Sequence, residues 1–377
     1  MSHIALVIPT LDRIAGAERQ VILLANGLHS RGWRVSVVAL SGTGGDAAAS
    51  LAAAGVGFLS LEMRKGLADP RGWLRFHRWL RRERPEIVHA HLPHAAWMAR
   101  WSRLAAPIRV VIDTVHTSAI GTVGRRLGYR WSRWLPDRVT AVGEAVREAY
   151  VGAAMVSEEQ CVVIPNGVDT DAWKPDAATR TARREEFGVT GKFLWLAAGR
   201  LDPVKDHSTL LRALAETPAA ASLAMAGSGP LEADLRALAA TLGIVDRVRF
   251  LGFVPDLRAW MGAADGFVHS SLREGLPMSL IEAAACCLPV VATDVPGTRE
   301  VVADGETGWL IPAGDAKRLA AKMTALMKAS PGDRRAMGES ARRSAIKRYS
   351  LKNVLDRWET LYRELLDRNP QPRRSAK

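Results

Sequence analysis

Two glutamates, Glu274 and Glu282, bracket a Gly-Leu-Pro turn in EGLPMSLIE, where an apolar run, ADGFVHSS, gives way to a helix-like one, MSLIEAAACCLP. A strand that hands over to a helix leaves the first helical N–H groups unpaired and the positive end of the dipole exposed, which suits a phosphate. Gly275 lets the backbone come close to a ligand, and Pro277 fits a first helical turn, where its missing N–H costs nothing. Glu274 then lies outside the strand's carboxyl end, where open α/β sheets bind ligands. Glu282 lies about a turn and a half into the helix and reaches hydroxyls near its start. Two acceptors flanking a phosphate cradle match a sugar on one side and a ribose on the other. That is the outline of a nucleotide-sugar.

The elements that must position these groups repeat one unit. HIALVIP (residues 3–9) reads as a buried strand, followed by a loop with Gly16, an amphipathic helix in AERQVILLANGLHSRG closed by Gly32, and the strand RVSVVAL. EIVHAHL, RVVIDTVH and RVTAVGE continue the series. A second series, KFLWLAAGR, ASLAMAGSG, RVRFLGF, GFVHSS and PVVATD, follows with helices between. Two successive α/β series predict two doubly wound, Rossmann-like domains, with the break in the polar NGVDTDAWKPDAATR. The division expected is 1–170, 171–350 and 351–377, the last a helix, SLKNVLDRWETLYRELLDR, and a disordered tail. Leu355, Trp358, Leu361, Tyr362 and Leu365 recur at helical spacing and need a partner surface.

The chain has 377 residues, 48% hydrophobic and 24% charged, which describes a soluble globular protein rather than a fibrous or disordered one. No apolar run reaches the roughly 18 residues of a membrane span, and MSHIALVIPTLDR reads as a first strand rather than a signal peptide. Cys161, Cys286 and Cys287 have no metal-ligand spacing, the last two adjacent in the predicted helix, and read as buried thiols in a reducing cytoplasm. The net charge of +13 is concentrated: residues 63–138 hold 16 basic and 5 acidic side chains, with six of the 12 tryptophans. A dehydrogenase is excluded by PTLDRIAGAERQ, which lacks the G-x-G-x-x-G that brings a pyrophosphate to that helix.

E-G-L-P-M-S-L-I-E is the E-x7-E pattern of retaining glycosyltransferase family 4, and the resemblance runs along almost the whole chain. A-G-A-E-R-Q resembles the family's Gly-Gly-x-Glu loop, with Ala15 and Gly16 where two glycines are usual. I-P-N-G-V-D (164–169), G-R-L-D-P-V-K (199–205), G-S-G-P (227–230) and F-L-G-F-V (250–254) follow in the family's order. The resemblance implies a GT-B fold: two Rossmann-like doubly wound domains facing a central cleft, the C-terminal helix crossing back to the first. It implies that the first domain binds the acceptor and the second the nucleotide-sugar, with Gly199, Arg200 and Lys205 gripping the diphosphate and stabilising the departing nucleotide. Glu274 holds donor-sugar hydroxyls and Glu282 the ribose; Gly275, Leu276, Pro277, Met278 and Ser279 form the cradle between them. Phe253 and Val254 line the base pocket or else belong to the core, and Gly227 and Gly229 serve the donor or a plain βα turn. Gly16 brings backbone to the donor phosphates, and His116 matches the histidine that faces the donor sugar. His89, His91 and His94 invite a metal reading, but a buried strand and its loop explain them better, and the family needs neither metal nor cofactor.

The expected activity is transfer of a hexosyl or N-acetylhexosaminyl group from a UDP- or GDP-sugar, with retention. RGWLRFHRWLRRER and GRRLGYRWSRWL interleave Arg with Trp, Leu and Phe, which fits an anionic membrane surface. No nucleic-acid-binding motif accompanies that charge. A membrane-bound acceptor domain implies a lipid-linked glycan acceptor and a cytoplasmic, peripheral location on the inner face of the cell membrane. The alternatives are a soluble small-molecule acceptor and a nucleotide-sugar epimerase of the same fold.

Overall fold

The structure is a computed structural model that describes residues 2–12, 14–64, 69–175 and 177–370. The stretch of the expected tail beyond residue 370, and residues 65–68 of the basic segment, lie outside the described residues. The chain forms two units: one runs to Gly167 and resumes at Leu351, the other is Val168–Ser350.

In the first unit, seven strands alternate with helices: β1 (His3–Ile8), β2 (Arg34–Ala39), β3 (Gly57–Ser60), β4 (Ile87–His91), β5 (Val110–Val115), β6 (Arg138–Ala141) and β7 (Cys161–Val163). They pair in the order β3-β2-β1-β4-β5-β6-β7, and every pairing is parallel. β1, β4 and β5 are buried along their whole length, as the continuous apolar runs require of a sheet covered on both faces. The helix Gly16–Ser30 ends at Arg31, and Gly32 follows at φ +89°, the left-handed position that stops it.

The final helix, Leu351–Arg368, belongs to this first unit. Its Val354, Leu355, Trp358, Leu361, Tyr362 and Leu365 share one buried cluster with Ile4, Leu6, Leu24 and Leu28. Burial of each such side chain contributes roughly 1.5–3 kcal/mol, so the apolar stripe read from the sequence has its partner. Trp33 Nε1 donates to Glu359 Oε1 at 2.7 Å and Arg31 Nη1 to Glu359 Oε2 at 2.8 Å, which fixes the helix against the end of Gly16–Ser30.

The second unit holds β8 (Phe193–Ala198), β9 (Ala221–Ala226), β10 (Val248–Gly252), β11 (Gly266–His269), β12 (Val290–Thr293) and β13 (Gly308–Ile311), in the order β10-β9-β8-β11-β12-β13. In both sheets the strand order reverses beside the unit's first strand, the arrangement whose crevice at the strands' carboxyl ends takes ligands. In the second sheet that point lies between β8 and β11. The helix entered from EGLP runs Met278–Ala285, with Pro277 as its cap rather than inside its first turn. It stops before the two cysteines that the sequence placed inside it: Cys287 is left-handed at φ +58°, and the N–H of Leu288 bonds the Ala283 carbonyl at 3.0 Å. This closure usually uses glycine.

Candidate functional site

The turn after β8 and the loop after β11 meet at the switch point. Lys205 ends a 3-10 turn, Pro203–Lys205, capped by Asp202, and its Nζ donates to Glu274 Oε1 at 2.5 Å. His269, the last residue of β11, places Nε2 2.9 Å from the same oxygen. Ser270 Oγ donates to the Lys205 carbonyl at 2.8 Å, and the Leu272 N–H to the Val204 carbonyl at 2.8 Å. Two loops that the sequence separates by some seventy residues are therefore laced together by backbone as well as by charge. Burial alone would push the Glu274 carboxyl up; the His269 hydrogen bond and the Lys205 charge outweigh it and hold the group well below the ordinary carboxylate range. Burial lowers the His269 imidazole, so it stands neutral and donates from Nε2 to an ionised Glu274.

The remaining predicted donor residues of this unit fall around that cluster. Arg200 is 71% exposed, 3.8 Å from Asp202, and free to swing onto an anion. Gly227 has φ +142°, and a Cβ there would lie 1.9 Å from the Gly199 carbonyl oxygen; one on Gly229 would lie 2.3 Å from that of Leu201. These glycines are needed first because their loop is packed against the backbone of the GRLD turn. Leu276 and Pro277 are buried, Gly275, Met278 and Ser279 half-buried, and Val254 half-buried. Glu282 is buried in the helix, 4% exposed. Phe253 is 64% exposed, which rules out the core reading of that aromatic. Gly297, which the sequence did not single out, supports the loop: a Cβ there would lie 2.6 Å from the Gly275 carbonyl oxygen and 2.8 Å from that of Glu274. Nothing local in PGTR announces that contact, and the same is true of His269 within FVHSS.

In the first unit, Gly16 opens its helix, and a Cβ there would meet no protein atom within 4 Å, so the space before it is open. His116 follows β5, with Nε2 3.1 Å from His91 Nδ1. His91 Nε2 and His116 Nδ1 are buried without a hydrogen-bond partner in the structure. The two histidines line a cavity of about 20 Å³ together with Gln20, Thr114, Asn166 and Trp358, room for about one water. His89 is engaged on both nitrogens, by Tyr362 Oη at 2.7 Å and Thr114 Oγ1 at 2.6 Å, while His94 is exposed. His89 thus ties the final helix to β4 and β5, while His91 and His116 form a separate pair beside it and His94 takes no part.

His89, His91 and His116 have a consequence in acid. Burial lowers His89 to about 3, His91 well below its ordinary value and His116 to about 4. Above pH 6.5 neither the folded nor the unfolded chain protonates them, so stability is unaffected. Below 6.5 the unfolded chain binds protons that the fold refuses, and stability falls as pH drops toward 4. Each histidine adds up to about tenfold per pH unit to the unfolding constant. Urea unfolding at pH 7.5, 6.0 and 5.0 should show this slope, and His116→Gln should flatten it; an equal slope in that variant would show that His116 is not a contributor.

The matches with known proteins cover both units. The family described as Glycosyltransferase Family 4 matches residues 14–172, and that described as Glycosyl transferases group 1 matches residues 179–344. Phosphatidyl-myo-inositol mannosyltransferase of Mycobacterium leprae is 31% identical over 342 residues, which span 86% of this chain and 87% of that one. N-acetyl-alpha-D-glucosaminyl L-malate synthase of Bacillus anthracis is 29% identical over 302 residues, 76% of each chain. The Anabaena Alr3699/HepE structure in complex with UDP superposes with a TM-score of 0.84 at 21% identity, covering 97% of this chain and all of that one. At that identity the likeness speaks for the fold, which is GT-B.

Proposed function

We propose that this chain, which belongs to the family 4 (group 1) glycosyltransferases and is a hexosyltransferase, moves a hexosyl or N-acetylhexosaminyl group from a UDP- or GDP-sugar to a lipid-linked glycan, with retention at the anomeric carbon. The observation that carries the reading is the Lys205–Glu274–His269 cluster at the switch point of the second sheet. Lys205 and the exposed Arg200 supply cations for a diphosphate, and Glu274 supplies an ionised acceptor for sugar hydroxyls. As transfer proceeds, the bond from the anomeric carbon to the diphosphate oxygen breaks and that oxygen keeps the electron pair. The acceptor oxygen bonds the same face of the carbon, and its proton passes to the departing phosphate. Charge grows on the leaving diphosphate, where Arg200 and Lys205 are worth most. The reading takes the reaction to need no metal, and assigns Gly16 to the donor phosphates, His116 to the donor sugar, Phe253 and Val254 to the base and Glu282 to the ribose.

The test is a panel of UDP- and GDP-sugars, followed by slow donor hydrolysis with and without EDTA, and by the anomeric configuration of the released sugar. Hydrolysis of one donor, unaffected by EDTA and with retained configuration, is expected; an inverted product would overturn retention. A soluble acceptor is the second reading, favoured by the relative whose name ends in L-malate synthase.

The membrane part of the proposal rests on a narrower face than the basic segment as a whole. Among its cations, Arg75, Arg82, Arg100, Arg103 and Arg109 are in ion pairs with Glu62, Glu83, Asp113, Asp137 and Glu86. Arg71, Arg78, Arg81 and Arg84, on and just after the helix Pro70–Glu83, also stay exposed outside those pairs. The face richest in exposed aromatics, however, is the helix Val123–Trp131 and the turn after it, where Arg126, Arg130 and Arg133 are exposed beside Val123, Leu127, Trp131 and Trp134. Trp131 and Trp134 are 78% and 66% exposed, a cost in water that a lipid interface relieves. No helix among the described residues is long and apolar enough to cross a membrane, so the contact proposed is peripheral, on an anionic inner leaflet. Each arginine near such a leaflet contributes about 1 kcal/mol. Sedimentation with vesicles should show binding that needs anionic lipid, weakens with salt and is lost in Arg126→Glu/Arg130→Glu/Arg133→Glu. Equal recovery with neutral vesicles would favour the soluble acceptor.

A further inference from the structure

We infer that His269 is a positioning residue for Glu274: its ring N–H fixes the carboxylate in the place from which it recognises the hexosyl part of the donor. The inference rests on the donor reading of Glu274. Glu274 sits in a loop, after two exposed residues, Leu272 and Arg273, with no helix or strand of its own to hold it. His269, in contrast, is the last residue of β11, paired with Ala292 of β12 and 4% exposed, so its ring is held by the sheet. Its Nε2 lies 2.9 Å from Glu274 Oε1, the same oxygen that Lys205 Nζ contacts at 2.5 Å. The two donors differ in kind. Lys205 is a flexible chain with a free-rotating ammonium, and a diphosphate competes for it. A neutral imidazole carries no charge to draw it to a phosphate, and its buried ring is held by the sheet, so it keeps its hold on Glu274 when Lys205 turns to the diphosphate. Glu274 then stays oriented through donor binding when the Lys205 contact is given up.

A residue with that role serves the sugar and not the nucleotide. UDP and GDP should bind His269→Leu within about twofold of the parent, whereas kcat/KM for the nucleotide-sugar should fall about 10- to 100-fold, the worth of a lost hydrogen bond to a charged group. His269→Gln, whose amide nitrogen reaches about where Nε2 lies, should recover to within about fivefold, and His269→Asn, which cannot reach, should not. Titration of UDP and GDP by calorimetry, with steady-state kinetics on all three variants, reads both quantities. Parent-like transfer in His269→Leu overturns the inference, as does a parallel loss of nucleoside diphosphate and nucleotide-sugar affinity, which would mark a structural role. If the leucine variant does not fold, equal kinetics in the Gln and Asn variants overturn it. Glu274→Ala separates the two layers: unchanged transfer there defeats the donor reading itself, whereas a dead Glu274→Ala beside a parent-like His269→Leu defeats only this inference.

Discussion

Lys205→Ala should lower kcat/KM for the nucleotide-sugar about a hundredfold, with a part of the loss in kcat. The Lys205 side chain is 21% exposed and starts from a turn that Asp202 caps, so only its ammonium has to turn from Glu274 to meet a diphosphate. A hydrogen bond to a charged group contributes about 1.5–3 kcal/mol, or roughly 10- to 150-fold in affinity. Bond breaking adds charge to the leaving oxygen, so the contact strengthens in the transition state and its loss appears in kcat as well as in KM. The lysine stem runs beside Gly199, where a Cβ would lie 3.3 Å from Lys205 Cε, so the glycine leaves the side chain room to reach the diphosphate. Glu274→Ala should cost a similar factor through the sugar. Because the two side chains share one contact, the double variant should lose less than the product of the single losses. Near-parental transfer in both single variants, with the thermal transition unchanged, would show that neither residue acts on the donor.

Much of the fold was legible in the sequence because central parallel strands are buried on both faces and read as uninterrupted apolar runs. HIALVIP, EIVHAHL and RVVIDTVH became β1, β4 and β5 with little adjustment. The strands that escaped notice, β3, β7 and β13, are all sheet edges of three or four residues. Each is partly exposed and too short to carry a period. The site divides in the same way. Lys205 and Glu274 sit in motifs whose spacing announces them, whereas His269 and Gly297 act through contacts that exist only once β11 and β12 lie side by side. Charge was readable as a sum but not as a distribution of partners: Arg103 spends its guanidinium on Asp137 and the Leu135 carbonyl, and Arg109 on Glu86 and the end of the final helix.

Arg100→Met should destabilise the first unit by about 3–5 kcal/mol, the range for removing one partner of a buried ion pair. Arg100 and Asp113 are both fully buried, joined Nε to Oδ2 at 2.6 Å. Burial raises the Asp113 carboxyl above its ordinary value and the guanidinium opposes that rise, so losing Arg100 leaves a carboxyl that must take up a proton or stand charged in the core. The same guanidinium donates to the Tyr129 carbonyl at 3.3 Å and Ser132 Oγ at 2.8 Å, and lies 4.4 Å above the Tyr129 ring. It is therefore the bracket that seats the helix Val123–Trp131 on Pro93–Ser102, where Gly128 already gives way to the Trp97 ring. Asp113→Leu should cost a comparable amount, since it leaves the cation unpaired. The pair Arg100→Met/Asp113→Leu should return to within about 1–2 kcal/mol of the parent, because apolar groups of similar size often replace a buried ion pair without loss. Urea unfolding of the parent and the three variants closes this cycle. A double variant as unstable as the two single losses combined would mean that Arg100 matters through Tyr129 and Ser132 rather than through Asp113. In that event Arg100→Met alone should also weaken vesicle binding, by loosening the helix that presents Trp131.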